Sequence, residues 1–194
     1  LFPTTATSFY RHSGGWKNVY IHALSPAEKK KIKNAFVDVF VKSGYLHPAK
    51  TYGTVIEDRG TQITFSALGQ EVVAMLGKEK GVAIKEQWLK ENKAIKMKMG
   101  RMLQHILPQF EVRTAGFTSI DVTRKGIDKA YGLGQITKYT GTTIKKMLFI
   151  GDAIFPGGND YAVVRTGIDY IPVHGPEDTK RIIRAILRRG SSNI

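Results

Sequence analysis

The spacing of apolar residues divides the chain into three parts. Ser8-Phe9-Tyr10-Arg11 and Trp16 to His22 are aromatic-rich strand candidates around Ser13-Gly14-Gly15, so a β-hairpin is expected within residues 1–23. At Ser25 the pattern turns helical. Ser25-Pro26-Ala27-Glu28 offers an N-cap serine, a proline at the first helical position and a glutamate to close a capping box. Ile32, Phe36, Val39 and Phe40 follow at helical spacing, which predicts a helix to about Lys42 that ends near Gly44.

Short strands are expected at Thr54 to Ile56 and Gln62 to Phe65, flanking Asp58-Arg59-Gly60. Residues 85–107 carry Trp88, Ile95, Met99, Met102, Leu103 and Ile106 as one stripe, closed by Pro108. The methionines read as core filler. Strands at Phe110 to Thr114 and Ser119 to Val122 bracket Ala115-Gly116-Phe117. Helix, hairpin, helix, hairpin is the order of a compact α+β module, expected over 24–122.

From about residue 123 helix and strand alternate: a helix from Lys129 to Tyr139, a strand from Met147 to Ile150, a strand from Tyr170 to Val173, and a final helix after Gly175-Pro176-Glu177-Asp178 that would bury Ile182, Ile183, Ile186 and Leu187. Such alternation predicts a parallel sheet over 123–194. The apolar run Leu148-Phe149-Ile150 stops at Gly151-Asp152 and leads to Gly157-Gly158-Asn159-Asp160. A buried strand ending at the carboxyl edge of a sheet is where α/β folds place ligands. Two carboxylates and an amide there are hard oxygen donors suited to magnesium, and the two glycines let the loop fold back on itself.

A chain of 194 residues, 42% hydrophobic, can bury a core of one domain or two small ones. It has no twenty-residue apolar span, and no secretory signal is visible at Leu1-Phe2-Pro3. No cysteine is present, which excludes thiol chemistry and agrees with a cytoplasmic location. The five histidines are scattered, without metal-ligand spacing. The net charge of +14 is spread over helical clusters: Lys29, Lys30, Lys31 and Lys33; Lys90, Lys93, Lys96 and Lys98; Arg181, Arg184, Arg188 and Arg189. Interleaved with apolar positions, these read as solvated helix faces rather than a nucleic-acid surface.

Gly126-Ile127-Asp128-Lys129-Ala130-Tyr131, Gly151-Asp152 through Gly158-Asn159-Asp160, and Gly175 through Ile182 resemble the third and fourth motifs and the tail of the haloacid dehalogenase superfamily. With Ile56-Glu57-Asp58-Arg59-Gly60, Ser66-Ala67-Leu68-Gly69-Gln70 and Thr118-Ser119-Ile120-Asp121-Val122, the chain is similar to the eukaryotic-type phosphomannomutases and related sugar-phosphate phosphatases with a type IIB cap. The resemblance implies an α/β fold made of the C-terminal part of a Rossmann-like core plus an α+β cap. It implies phosphoryl transfer on a hexose phosphate through an aspartyl phosphate with Mg2+. Lys129 then matches the lysine that balances phosphoryl charge. Asp152 matches the principal metal carboxylate, with Asp160 or Asn159 as a further ligand or water-orienting group. Arg59, Ser119 and Asp121 match residues that grip the sugar phosphate. Arg124 and Lys125 read as a solvated loop.

Two departures stand out. The Asp-x-Asp strand of the family's first motif, and the serine or threonine of its second, do not occur in this sequence. On the order of 80 residues of core, about half a typical domain, are thereby expected elsewhere; neither Asp58 nor Asp128 stands at a strand end beside the acidic loop to replace the nucleophile, and Asp121 belongs to the cap side. This polypeptide alone is expected to be inactive, with a partial sheet that favours a swapped or dimeric assembly or poor solubility. Gln70 stands where phosphomannomutases carry a second substrate arginine, and no third arginine follows between Val72 and Lys80. A phosphatase, a hydrolase rather than an isomerase, is therefore an alternative. A non-catalytic basic module binding RNA or another polyanion is a third reading.

Overall fold

The computed structural model describes residues 1–114 and 116–191, with side chains described as far as Arg188. Ala115, expected in a turn, and the Arg189 side chain lie outside the described residues. The chain divides into two units, Leu1–Ile127 and Asp128–Ile194. No described helix is long and apolar enough to cross a membrane.

In the first unit a short turn, α1 (Pro3–Ala6), precedes the antiparallel pair β1 (Ser8–His12) and β2 (Trp16–Ile21). Phe2 stacks on Phe9 with centroids 4.4 Å apart. Thr7 Oγ1 meets Thr61 Oγ1 at 2.7 Å, tying the hairpin to the next sheet. Helix α2 (Pro26–Ser43) starts at the expected capping box: Glu28 N donates to Ser25 Oγ (3.2 Å) and Ser25 N donates to Glu28 Oε2 (2.7 Å). Gly44 ends it at φ +74°, a conformation that glycine adopts without a Cβ clash.

β3 (Ile56–Asp58), β4 (Gln62–Ser66), β5 (Phe110–Arg113) and β6 (Ser119–Arg124) form an antiparallel sheet in the order β3-β4-β6-β5. The first of these begins where the expected strand Thr54 to Ile56 ends. The Thr54 and Val55 carbonyls instead accept from Gln70 and Ser66, so that stretch follows the far end of β4. Side-chain alternation divides the sheet into two faces. Ile63, Phe65, Ile120 and Val122 point into a core with Ile32, Phe36 and Val39 of α2 and with Trp88, Met99 and Leu103. Gln62, Thr64, Ser66, Ser119, Asp121 and Thr123 take the other face.

The stripe around Trp88 belongs to α4 (Lys78–Ile106), which begins well before residue 85 and follows a short helix α3 (Val72–Leu76) that the sequence pattern did not announce. Gly77, at φ +78°, separates the two. Met99 is core filler, as its spacing suggested, but the solvated-face reading fails at Lys96, which is 2% exposed. Lys96 is buried because its ammonium reaches the carbonyls of Thr114 and Gly116 beyond the end of β5.

The second unit holds α5 (Lys129–Thr140), a 3-10 turn at Ile144–Lys146, β7 (Leu148–Gly151), a 3-10 turn at Tyr161–Thr166, β8 (Asp169–Pro172) and α6 (Pro176–Ser191). β7 and β8 pair in parallel, with Leu148 opposite Asp169. A small core joins Leu133, Val163 and Ile168. The expected burial of the α6 stripe does not occur: Ile183, Ile186 and Leu187 are exposed and Ile182 is half-buried. The described sheet of this unit has two strands, too narrow a face to cover a helix of four turns.

Candidate active site

The carboxyl ends of β7 and β8 lead into one cleft of about 250 Å³, lined by Lys129, Gly151, Asp152, Asp160, Gly175 and Thr179 among others. Parallel pairing brings this about, since both strands deliver their following loops to the same edge. Val173 N then donates to Gly151 O (3.0 Å), keeping the two exits together. The acidic loop folds back through Gly157 at φ +85°. At Gly158 a Cβ would strike the Ala153 carbonyl. The return is closed by Asp160 N donating to Ala153 O (3.1 Å) and by Ala153 N donating to Asp160 Oδ2 (3.2 Å).

Asp160 is 3% exposed, and its Oδ1 lies 2.5 Å from Lys129 Nζ. A carboxylate at that depth needs compensation; the Lys129 charge faces Oδ1 and Ala153 N donates to Oδ2. The Lys129 ammonium is placed by the first turn of α5, whose N-cap Asp128 accepts from Tyr131 N at 3.0 Å. Asp152 is exposed and lines the cleft; Asn159, exposed on the same loop, does not line it. Among the described residues no group of three or more His, Cys, Asp or Glu forms a metal cage. Magnesium commonly binds through one or two carboxylates, the remaining positions going to waters and phosphate oxygens. The pair Asp152 and Asp160 fits that donor set. Thr179 and the α6 N-terminus were not foreseen as cleft residues. Their signal was the Gly175-Pro176 helix start directly after a strand.

Two of the carboxylates weighed as nucleophiles are held in ion pairs. Asp128 pairs with Arg165 Nη2 at 2.5 Å, and Asp58, in the other unit, is held by Lys29 (3.1 Å) and Lys33 (3.8 Å).

The polar face of the first unit's sheet carries Ser119 and Asp121, and the Arg59 charge acts on Asp121. Asp121 Oδ1 accepts from Thr64 Oγ1 at 2.8 Å, and Thr64 in turn accepts from Gln62 Nε2 at 2.7 Å. Burial raises the Asp121 carboxyl above the usual carboxylate range, opposed by the Thr64 hydroxyl and by the charges of Arg59, Arg113 and Lys96. Arg59 is clamped by Glu57 Oε2 (2.5 Å from Nε) and Gln70 Oε1 (3.3 Å from Nη2). Ser119 lies two residues from Asp121 on the same face, opposite Ser66. Arg124 is committed elsewhere, to Glu28 at 2.8 Å and the Ala23 carbonyl at 3.0 Å, and Lys125 is exposed.

An N-terminally truncated, IMP-bound IMP-nucleotidase of Plasmodium falciparum shares this fold with a TM-score of 0.56 at 16% identity, over 94% of this chain and 46% of that one. A structure that shows conservation of a trigonal-bipyramidal intermediate in a phosphoryl-transfer superfamily gives a TM-score of 0.51 at 18% identity, over 91% of this chain and 65% of that one. The chain thus spans under two thirds of either protein. At these identities the likeness concerns the fold alone. No curated protein sequence matches. The eukaryotic phosphomannomutase profile matches residues 16–189, nearly the whole sequence, and the chain therefore belongs to the eukaryotic phosphomannomutase family.

Proposed function

We propose that this chain supplies the cap and the lysine-and-carboxylate cleft of an enzyme that transfers a phosphoryl group on a hexose phosphate through an aspartyl phosphate. The observation that carries the reading is the convergence of Lys129, Asp160 and Asp152 on one cleft at the carboxyl ends of two parallel strands. The ammonium balances phosphoryl oxygens, Asp152 and Asp160 hold Mg2+, and Asn159 on the loop orients a water. The cation, when bound, neutralises charge on the transferring phosphoryl group. On the cap, Arg59 takes phosphate, while Ser119 and Asp121 hydrogen-bond sugar hydroxyls. No Asp-x-Asp strand occurs in the sequence, so the nucleophile is not among these residues and the purified chain binds without turnover.

The test is calorimetric titration of the chain with Mg2+ in inorganic phosphate, repeated with Asp152→Asn. Saturable binding that falls by at least the roughly tenfold that outer-shell changes cost supports the cleft. Equal affinity in both proteins overturns it, and release of phosphate from a hexose phosphate by the chain alone overturns the assignment of the nucleophile elsewhere.

A hydrolytic version of the same chemistry is favoured by Gln70, an uncharged amide that binds Arg59 where a mutase needs a second phosphate-binding cation. Mannose 1-phosphate presented to a full-length form, with and without a bisphosphate activator, separates the two. Activator-dependent mannose 6-phosphate marks a mutase, free phosphate a phosphatase.

A further inference from the structure

The register of the cap sheet aligns one row across all four strands. Glu57 lies opposite Thr64, Thr64 opposite Asp121, and Asp121 opposite Arg113. Directly opposed residues share a face with Cβ atoms about 5 Å apart, so Arg113 stands beside Asp121 on the side away from Thr64. Arg59 reaches the same carboxylate field from the β3–β4 turn. One carboxylate on a polar sheet face is thereby flanked by two guanidinium groups.

The two arginines differ in how they are held. Arg59 is tied to Glu57 and Gln70. Arg113 is half-buried, and its Nη2 donates to the Ile127 carbonyl at 3.4 Å, the long limit of a hydrogen bond. Arg59, Arg124, Arg165 and Arg181 each hold an ion pair; Arg113 forms none with the carboxylate next to it. A guanidinium carries five N–H donors in a planar fork that matches a phosphate edge. A carboxylate and a guanidinium on adjacent strands, without direct contact, suit a ligand with a hydroxyl to donate and an anionic group to accept.

We propose that Arg113 is a substrate-binding residue of the cap: it forks onto the phosphate of a hexose phosphate whose hydroxyl donates to Asp121. This rests on the reading of the polar cap face as the sugar-phosphate site, and it adds to that site a residue outside every motif in the sequence.

The experiment is titration of the folded chain with mannose 6-phosphate and with unphosphorylated mannose, followed by calorimetry and by the phosphorus resonance of the ligand. Arg113→Gln should weaken mannose 6-phosphate binding about tenfold or more, as loss of a charged hydrogen-bond donor does, and leave mannose binding unchanged. Arg113→Lys should fall between, since an ammonium keeps the charge and loses the fork. Lys31→Ala, which removes the same charge from an exposed position of α2, should bind like wild type. If both Arg113 variants bind like wild type while Arg59→Ala weakens binding, the Arg113 proposal is overturned and the cap reading stands. If wild type itself prefers mannose 6-phosphate no more than mannose, the cap reading fails and this inference with it. Should Arg113→Gln not fold, Arg113→Lys decides alone: unchanged affinity overturns the proposal, and a partial loss with an unaltered melting temperature supports it.

Discussion

Lys96 holds a buried ammonium whose Nζ donates to the carbonyls of Thr114 (3.1 Å) and Gly116 (2.6 Å). Burial pushes its pKa down to about 8, and the Asp121 charge works against that shift. A lysine titrating lower in the fold than in the unfolded chain adds stability above its unfolded value of 10.5, and that addition is lost as pH falls through about 8. Wild-type stability relative to Lys96→Met should therefore rise between pH 8 and pH 10.5, by at most about 4 kcal/mol at roughly 1.4 kcal/mol per pKa unit. Urea unfolding of both proteins at the two ends of that window checks it; a difference independent of pH would refute it. Its neighbours Lys90, Lys93 and Lys98 share its helical spacing in the sequence. Nothing local singles out Lys96, because its burial depends on carbonyls well beyond its own helix.

Elements are bounded here by residues within a turn of their ends, which is why α2 begins at the Ser25 capping box and stops at Gly44. The acidic loop after β7 obeys the same local chemistry, with a second requirement of space. Gly158 faces the Ala153 carbonyl with no room for a methyl group, and that carbonyl accepts from Asp160 N while Ala153 N donates to Asp160 Oδ2. Gly158→Ala should open the loop, release Asp160 from its place against Lys129, and weaken Mg2+ binding in phosphate by tenfold or more while leaving the first unit's melting unchanged. Titration together with thermal denaturation reads both effects, and wild-type affinity in the variant would show that the loop does not shape the cation site. The β3 boundary and the short helix α3 were less legible. In both places hydrogen bonds from residues far along the chain, such as Ser66 N to Val55 O, decide which residues join the ladder.

At the scale of the molecule, the second unit shows apolar surface that a parallel sheet normally covers. Leu148, Tyr170 and Ile171 on the strand pair and Ile183 and Ile186 on α6 are all exposed. Exposed apolar side chains in this number favour association, and a net charge of +14 opposes it at low ionic strength. Sedimentation velocity should show concentration-dependent self-association that grows with salt and falls when Ile183→Glu and Ile186→Lys are combined. A monomer at every concentration in high salt would contradict this.

Helix caps, the hairpin turns and the glycine-hinged acidic loop were determined by the sequence itself, because each depends on residues a few positions apart. The roles proposed for Lys129, Asp152, Asp160, Asn159, Arg59, Ser119 and Asp121 rest instead on the resemblance of the surrounding motifs to the family. Tertiary structure alone decided that Arg113 stands beside Asp121, that Lys96 is buried and that the α6 stripe is exposed. Strand register and burial are set by partners remote in the chain, and no local pattern of apolar and polar residues encodes which partners those are.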